Sequence, residues 1–148
     1  MKINKNILYY DYRFCHLSTA KYGDKVAPHK PLLLLSLIDL IEKGVITSPQ
    51  VELSEDLVVT FQRNANLYTK GIEHFHPNIG MPFFYMRNEP FWQLVPKVDG
   101  ISPTANTITS LRRHYICANI DDELFLLLQN PKNRDTLRST LKEKYFQL

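Results

Sequence analysis

The sequence predicts a mainly helical α+β domain with a winged-helix-like centre and a β-hairpin. Three observations carry that expectation. Residues 31–43 start at Pro31 and run through Leu32-Leu33-Leu34-Leu35-Ser36-Leu37-Ile38-Asp39-Leu40-Ile41, and a helix apolar on nearly every face belongs at the centre of a core. A second helix, opened by Ser54-Glu55-Asp56, follows a short connection, which resembles the front half of a helix-turn-helix unit. Two aromatic runs, Met81-Pro82-Phe83-Phe84-Tyr85-Met86 and Phe91-Trp92-Gln93-Leu94-Val95, then flank the polar turn Arg87-Asn88-Glu89-Pro90, the patterning of a hairpin. A chain of 148 residues makes one domain over 1–148, long enough to bury a sizeable core.

The elements follow in order. Residues 7–20 read as a short helix and 22–25 as a turn. Pro31 marks the start of the central helix, because proline in the first turn lacks only an N–H that has no partner there. Gly44, after Lys43, closes it as a C-terminal cap. Residues 45–50 form a turn and Val51-Glu52-Leu53 a short strand. Ser54 caps the next helix, with acids in its first turn and Leu57, Val58, Phe61, Ala65 and Tyr68 at roughly helical spacing. Residues 69–80 are loop-like, and Pro82 places the following strand at an edge or a site. After a turn at 99–103, residues 107–118 read as a helix capped by Thr107 or Thr109. Asp121-Asp122-Glu123 opens a helix that Asn130-Pro131 ends, and Asn133 or Asp135 starts the last one, which reaches Tyr145 or Phe146.

Composition excludes several classes. No run approaches the roughly 18 apolar residues of a membrane span, and Met1-Lys2-Ile3-Asn4-Lys5-Asn6 lacks the apolar stretch of a signal peptide. Cys15 and Cys117 are too few for a disulfide framework and are not spaced as a zinc site. A cytoplasmic protein with free thiols is expected. The net charge is only +3, but residues 1–30 carry six Lys/Arg against two Asp/Glu, 31–100 five against eight, and 101–148 seven against five. Two basic ends flank an acidic middle, and if they meet in space they form a surface for nucleic acid; the alternative is a mixed solvated surface.

The strongest local signal is Ala27-Pro28-His29-Lys30-Pro31. Two prolines fix the direction of a cationic pair at a helix start, where free N–H groups and the helix dipole favour an anion. Arg87 in the hairpin turn could reach a backbone phosphate, or be a solvated turn charge. Arg112-Arg113-His114 suits phosphates, or is a helix surface. Arg63, Asn64 and Asn66 occupy the recognition position of a helix-turn-helix, or cap that helix. Met81 and Pro82 could form a shallow apolar lip that favours a soft, weakly hydrated atom over a phosphate oxygen. Enzymatic candidates are weaker. His74 and His76 share one side of an extended segment, where a metal with Glu73 or His114 could bridge them, but loop histidines without metal are commoner. No glycine-rich phosphate loop is present, and Asp39 reads as a hydrogen-bonded core acid. A chain without its own catalysis, metal or cofactor is the expectation; the alternatives are a metal-dependent nuclease using His74, His76 and His114, and a protein-interaction module that docks a partner on the hydrophobic hairpin.

Ala27-Pro28-His29-Lys30-Pro31-Leu32-Leu33-Leu34-Leu35, Ile38-Asp39-Leu40-Ile41, Pro82-Phe83-Phe84 and Phe91-Trp92 together resemble the N-terminal sulfur-binding domain of modification-dependent HNH restriction endonucleases. The resemblance runs from about Phe14 to Phe146. It implies recognition of phosphorothioated DNA, with the sulfur against an apolar surface. Pro82 matches the proline that touches sulfur, His29 and Lys30 match residues that contact the backbone near the modification, and Arg112 or Arg113 matches a downstream arginine. Met81 stands where a tyrosine often precedes the proline, and Tyr85 where a small residue often follows. Met81 and Tyr85 would face the modified atom with Pro82, while Arg87, Arg112 and Arg113 would supply salt-dependent affinity. The family's nuclease domain is expected to be absent, so that cutting falls to a partner or a fused domain.

Overall fold

A helix carrying Leu32, Leu33, Leu34, Leu35 and Leu37 has no face to offer water and must be surrounded. The computed structural model, which describes residues 4–19, 21–22, 25–70 and 77–146, shows how. The helices are α1 (Ile7–Cys15), α2 (His29–Glu42), α3 (Glu55–Tyr68), α4 (Gly80–Tyr85), α5 (Ile108–His114), α6 (Asp122–Leu127) and α7 (Pro131–Leu141). The strands are β1 (Lys21–Tyr22), β2 (Lys25–Val26), β3 (Gln50–Val51), β4 (Trp92–Pro96) and β5 (Tyr115–Ile120). A 3₁₀ turn, Met86–Asn88, extends α4, and a π-helical turn, Lys142–Phe146, extends α7. α3, α4 and α7 pack on α2, and α1 lies on α7. β1 and β2 make a small antiparallel ribbon, and a separate antiparallel sheet has the order β3-β5-β4. This is the expected mainly helical α+β domain.

The start of α2 is built around its prolines. Pro28 is the N-cap and makes no side-chain capping bond, and the helix begins at His29, two residues before Pro31. Of the first-turn N–H groups that an ordinary helix leaves unpaired, Pro28 and Pro31 have none to leave. The Leu32 N–H then closes the first turn on Pro28 O at 3.0 Å. At the other end, Gly44 has φ +75°, its N–H reaches Ile41 O at 3.1 Å, and the Val45 N–H reaches Leu40 O at 2.9 Å. That is a Schellman closure, which needs the left-handed residue.

Asp39 is the hydrogen-bonded acid expected in this apolar helix. Asn64 Nδ2 donates to Asp39 Oδ2 at 3.1 Å and to Ser36 Oγ at 3.0 Å. Arg138 from α7 pairs with Asp39 Oδ1 at 2.9 Å. Asn64 therefore joins two helices inside the protein and is not a surface recognition residue. Ser54 caps α3 through the Leu57 N–H at 3.2 Å, and Thr107 caps α5 in a reciprocal box with Ser110.

Three expectations are corrected. Residues 81–86 are helical, so the hairpin read across 81–95 does not form there, nor the helix-then-hairpin order built on it; β4 pairs instead with β5, Trp92 opposite Ile120 and Leu94 opposite Ala118. Phe83 and Phe84 are both fully buried, which adjacent residues of a two-faced strand cannot achieve. A short helix between α2 and α5 has apolar partners on both sides. Next, the helix from residue 107 ends at His114. Tyr115-Ile116-Cys117-Ala118-Asn119-Ile120 is β-prone and becomes the central strand. Finally, α7 starts at Pro131 because Asn130, whose side chain accepts the Lys132 N–H at 2.8 Å, caps a new helix rather than only ending the old one.

The chain's end is tied back to α1. Tyr145 Oη donates to Phe14 O at 2.7 Å and accepts the Leu17 N–H at 3.0 Å. Burial pushes this hydroxyl up to about 12, the Leu17 N–H offsetting part of the rise. A raised tyrosine value means that the neutral form is the one the fold keeps. Its contribution is complete below the ordinary value of about 10 and disappears as pH climbs through about 12. The thermal midpoint of the wild type is expected to fall more steeply above pH 10 than that of Tyr145→Phe. Parallel curves from pH 8 to 12 would count against this assignment.

Candidate nucleic-acid interface

The start of α2, at Ala27, His29 and Lys30, and the proline of α4 border one cavity of about 380 Å³. Ser18 and Thr19 line it from the segment after α1, Ala27, His29 and Lys30 from the α2 entrance, Met81, Pro82 and Tyr85 from α4, and Asn88 from the 3₁₀ turn. His29, Lys30, Met81, Pro82 and Tyr85, five of the eight residues expected to bind, thus share one site. Met81 is 37% exposed at the rim, while Pro82 is buried in the wall. Tyr85 is half-buried and packs edge-on against Phe84, with ring centroids 5.1 Å apart.

Lys30 departs from expectation. It is only 6% exposed, and its Nζ sits 2.6 Å from Glu89 Oε2. The Ser18 N–H donates to the same carboxylate oxygen at 3.1 Å. Lys30 is therefore not a free cation waiting for a phosphate, because its charge is already matched by a buried carboxylate. Glu89 itself is held by the 3₁₀ turn, its N–H donating to Met86 O at 2.8 Å. Nothing in the polar run Arg87-Asn88-Glu89-Pro90 marks Glu89 as the buried member.

Arg87 lies next to the site, exposed, with its guanidinium carbon 4.1 Å from the Phe84 ring centre. Such a contact orients the side chain and contributes about 0.5–1 kcal/mol at an exposed position. Arg112 is elsewhere. It borders a second cavity of about 260 Å³ with Glu52, Leu53, Phe83 and Lys97. Its Nε and Nη2 donate to Leu53 O at 3.1 and 2.9 Å, tying α5 to the approach to α3. Pro82 faces the first cavity and Phe83 the second, so α4 stands between them. Arg113, by contrast, is exposed. Arg63 and Asn66 are exposed on α3, Asn66 accepting from Gln62 Nε2 at 2.9 Å.

The histidine pair His74 and His76, with Glu73, lies outside the described residues. Among the described residues no group of three His, Cys, Asp or Glu could hold a metal, and no helix is long and apolar enough to cross a membrane. Cys15 and Cys117 are free thiols, and burial pushes the Cys117 thiol up.

No family model matches the chain, and no curated protein matches it. Solved structures do. The sulfur binding domain of SprMcrA complexed with phosphorothioated DNA superposes with a TM-score of 0.68 at 18% identity, over 96% of this chain and 86% of that one. The corresponding ScoMcrA domain with phosphorothioated DNA gives 0.67 at 18% identity, over 93% and 87%. The type IV phosphorothioation-dependent restriction endonuclease ScoMcrA gives 0.67 over 99% of this chain and 26% of its own. The fold is that of the sulfur-binding domains, as the sequence resemblance implies.

Proposed function

We propose that this domain reads DNA, and that what it reads is a phosphorothioate in the backbone. The observation that carries the reading is the meeting of His29 with Met81, Pro82 and Tyr85 around a single cavity. Polar and apolar walls converge there at a helix start. The likeness in fold to domains solved with phosphorothioated DNA supports the choice of ligand. In this reading Pro82 and Met81 receive the sulfur, Tyr85 extends the same α4 wall one turn further, and His29 meets a neighbouring backbone oxygen. Arg87, Arg113 and, more weakly, Arg112 add sequence-independent attraction. The domain binds DNA in the cytoplasm and does not cut; a nuclease partner or further domain cuts.

Competition binding on matched duplexes tests this. One duplex carries a single phosphorothioate, one a methylcytosine and one neither. The phosphorothioate duplex is expected to bind most tightly. Pro82→Ala removes about two apolar carbons from the wall and should reduce the preference about tenfold, at about 0.8 kcal/mol per CH₂. Equal losses on all duplexes would refute the role given to Pro82. Arg113→Ala should weaken binding to every duplex alike and lower the salt slope by about 0.9.

A further inference from the structure

Two opposite charges meet at this cavity, and they are not equivalent. Lys30 borders the open space, whereas Glu89 lies behind it, outside the lining. Glu89 grips the ammonium at 2.6 Å while the Ser18 N–H grips the same oxygen at 3.1 Å. The carboxylate is thus fixed from three elements: the segment after α1, the α2 entrance and the 3₁₀ turn. We propose that Glu89 is a specificity-determining positioning residue. By holding Lys30 from behind, it keeps the site neutral, so that the cavity accepts the sulfur of a phosphorothioate and refuses a phosphate oxygen. This rests on the domain's reading of backbone-modified DNA.

The physical argument starts from charge. Phosphodiester and phosphorothioate linkages each carry one negative charge, so long-range attraction does not separate them. Discrimination has to come from desolvation at the contact. An oxygen concentrates its charge, binds water strongly and loses those hydrogen bonds against the apolar surface of Ala27, Met81 and Pro82. A sulfur is larger, softer and less hydrated, so it loses less. A free lysine ammonium would cancel that difference, because it is a compact, strongly hydrated cation that would give the oxygen a charge-assisted bond in place of water. Occupied by Glu89, Lys30 offers no such compensation.

Glu89→Gln tests the idea while keeping side-chain shape. Lys30 then faces the cavity with its charge unmatched, and its position on the lining lets it hydrate. On matched duplexes with a phosphorothioate or a plain phosphate at one position, the wild type is expected to prefer the former. Glu89→Gln should cut that preference about tenfold, the scale of one close charge pair, chiefly by binding the plain duplex better. Its salt slope on plain DNA should steepen by about 0.9, one further counterion released. Lys30→Gln/Glu89→Gln removes both charges and should bring the preference back towards wild type. If Glu89→Gln does not fold, Glu89→Asp, which keeps the charge but draws it one methylene away from Lys30, should show a smaller loss of preference in the same direction, and an unchanged preference there overturns the proposal equally. An unchanged preference in Glu89→Gln, or loss of preference in the double variant, overturns the proposal. A wild type with no preference overturns the reader itself, a separate outcome.

Discussion

Replacing Lys30 with methionine is expected to destabilise the fold by about 3–5 kcal/mol, the cost of stripping one partner from a buried ion pair. The Lys30 and Glu89 side chains are 7% and 5% exposed. Methionine fills nearly the same space, so little of the loss comes from packing. What remains is a carboxylate with one backbone N–H, from Ser18, and no access to the cavity through which to regain water. The penalty is asymmetric: Glu89→Gln leaves the charge on the residue that borders the opening. A reciprocal pair of variants separates charge from shape. Adding Glu89→Met to Lys30→Met removes the orphaned charge, and stability should return to within about 1 kcal/mol of wild type, as apolar replacements of buried pairs commonly do. Urea unfolding with an unchanged slope reads both. A loss below about 1 kcal/mol for Lys30→Met would show that the pair is not desolvated as its burial indicates.

Gly80→Ala should be about as damaging, by a different route. A Cβ built on Gly80 would lie 2.9 Å from Asn106 C and Thr107 Cα, and closer still to Asn106 O. These are backbone atoms at the capped start of α5, so no side chain can swing aside. The first turn of α4 must retreat from residues 106–107, at about 3 kcal/mol or more for overpacking against main chain. Because α4 carries Met81, Pro82 and Tyr85, the cavity deforms with it, and the domain should lose preferential binding together with thermal stability. Gly44→Ala is the control. Its site is sterically open, and only the φ of +75° resists the substitution, at about 1–2 kcal/mol. Equal stability losses for the two alanines would contradict the close approach at Gly80.

The contrast between these glycines shows where sequence reading succeeds. Gly44, Ser54 and Thr107 act on residues one to four positions away, so their caps are legible from the order of the chain. Pro28 and Pro31 are legible for the same reason, and the resemblance joins them to Pro82. The hairpin misleads because Phe83-Phe84-Tyr85 fits a strand and a short helix equally well until its neighbours are known. Both phenylalanines are buried only because α4 has partners on two sides. Asn130-Pro131 looks like an ending and is also a beginning. Glu89 and Lys30 are 59 positions apart, as are Arg112 and Leu53. No spacing rule connects such residues, and each pairing changes what a cation can do.

The double-proline entrance to α2 also bears on association. Two of the backbone torsions on either side of His29 and Lys30 are locked by pyrrolidine rings, whether or not anything is bound. A partner that settles against His29 meets a segment already stiff, so little motion has to be frozen on contact. Immobilising a free backbone residue costs about 1–2 kcal/mol, and here that cost falls on folding. A short, shallow contact can then be selective without being large, since its affinity is not eroded by ordering the surface that makes it.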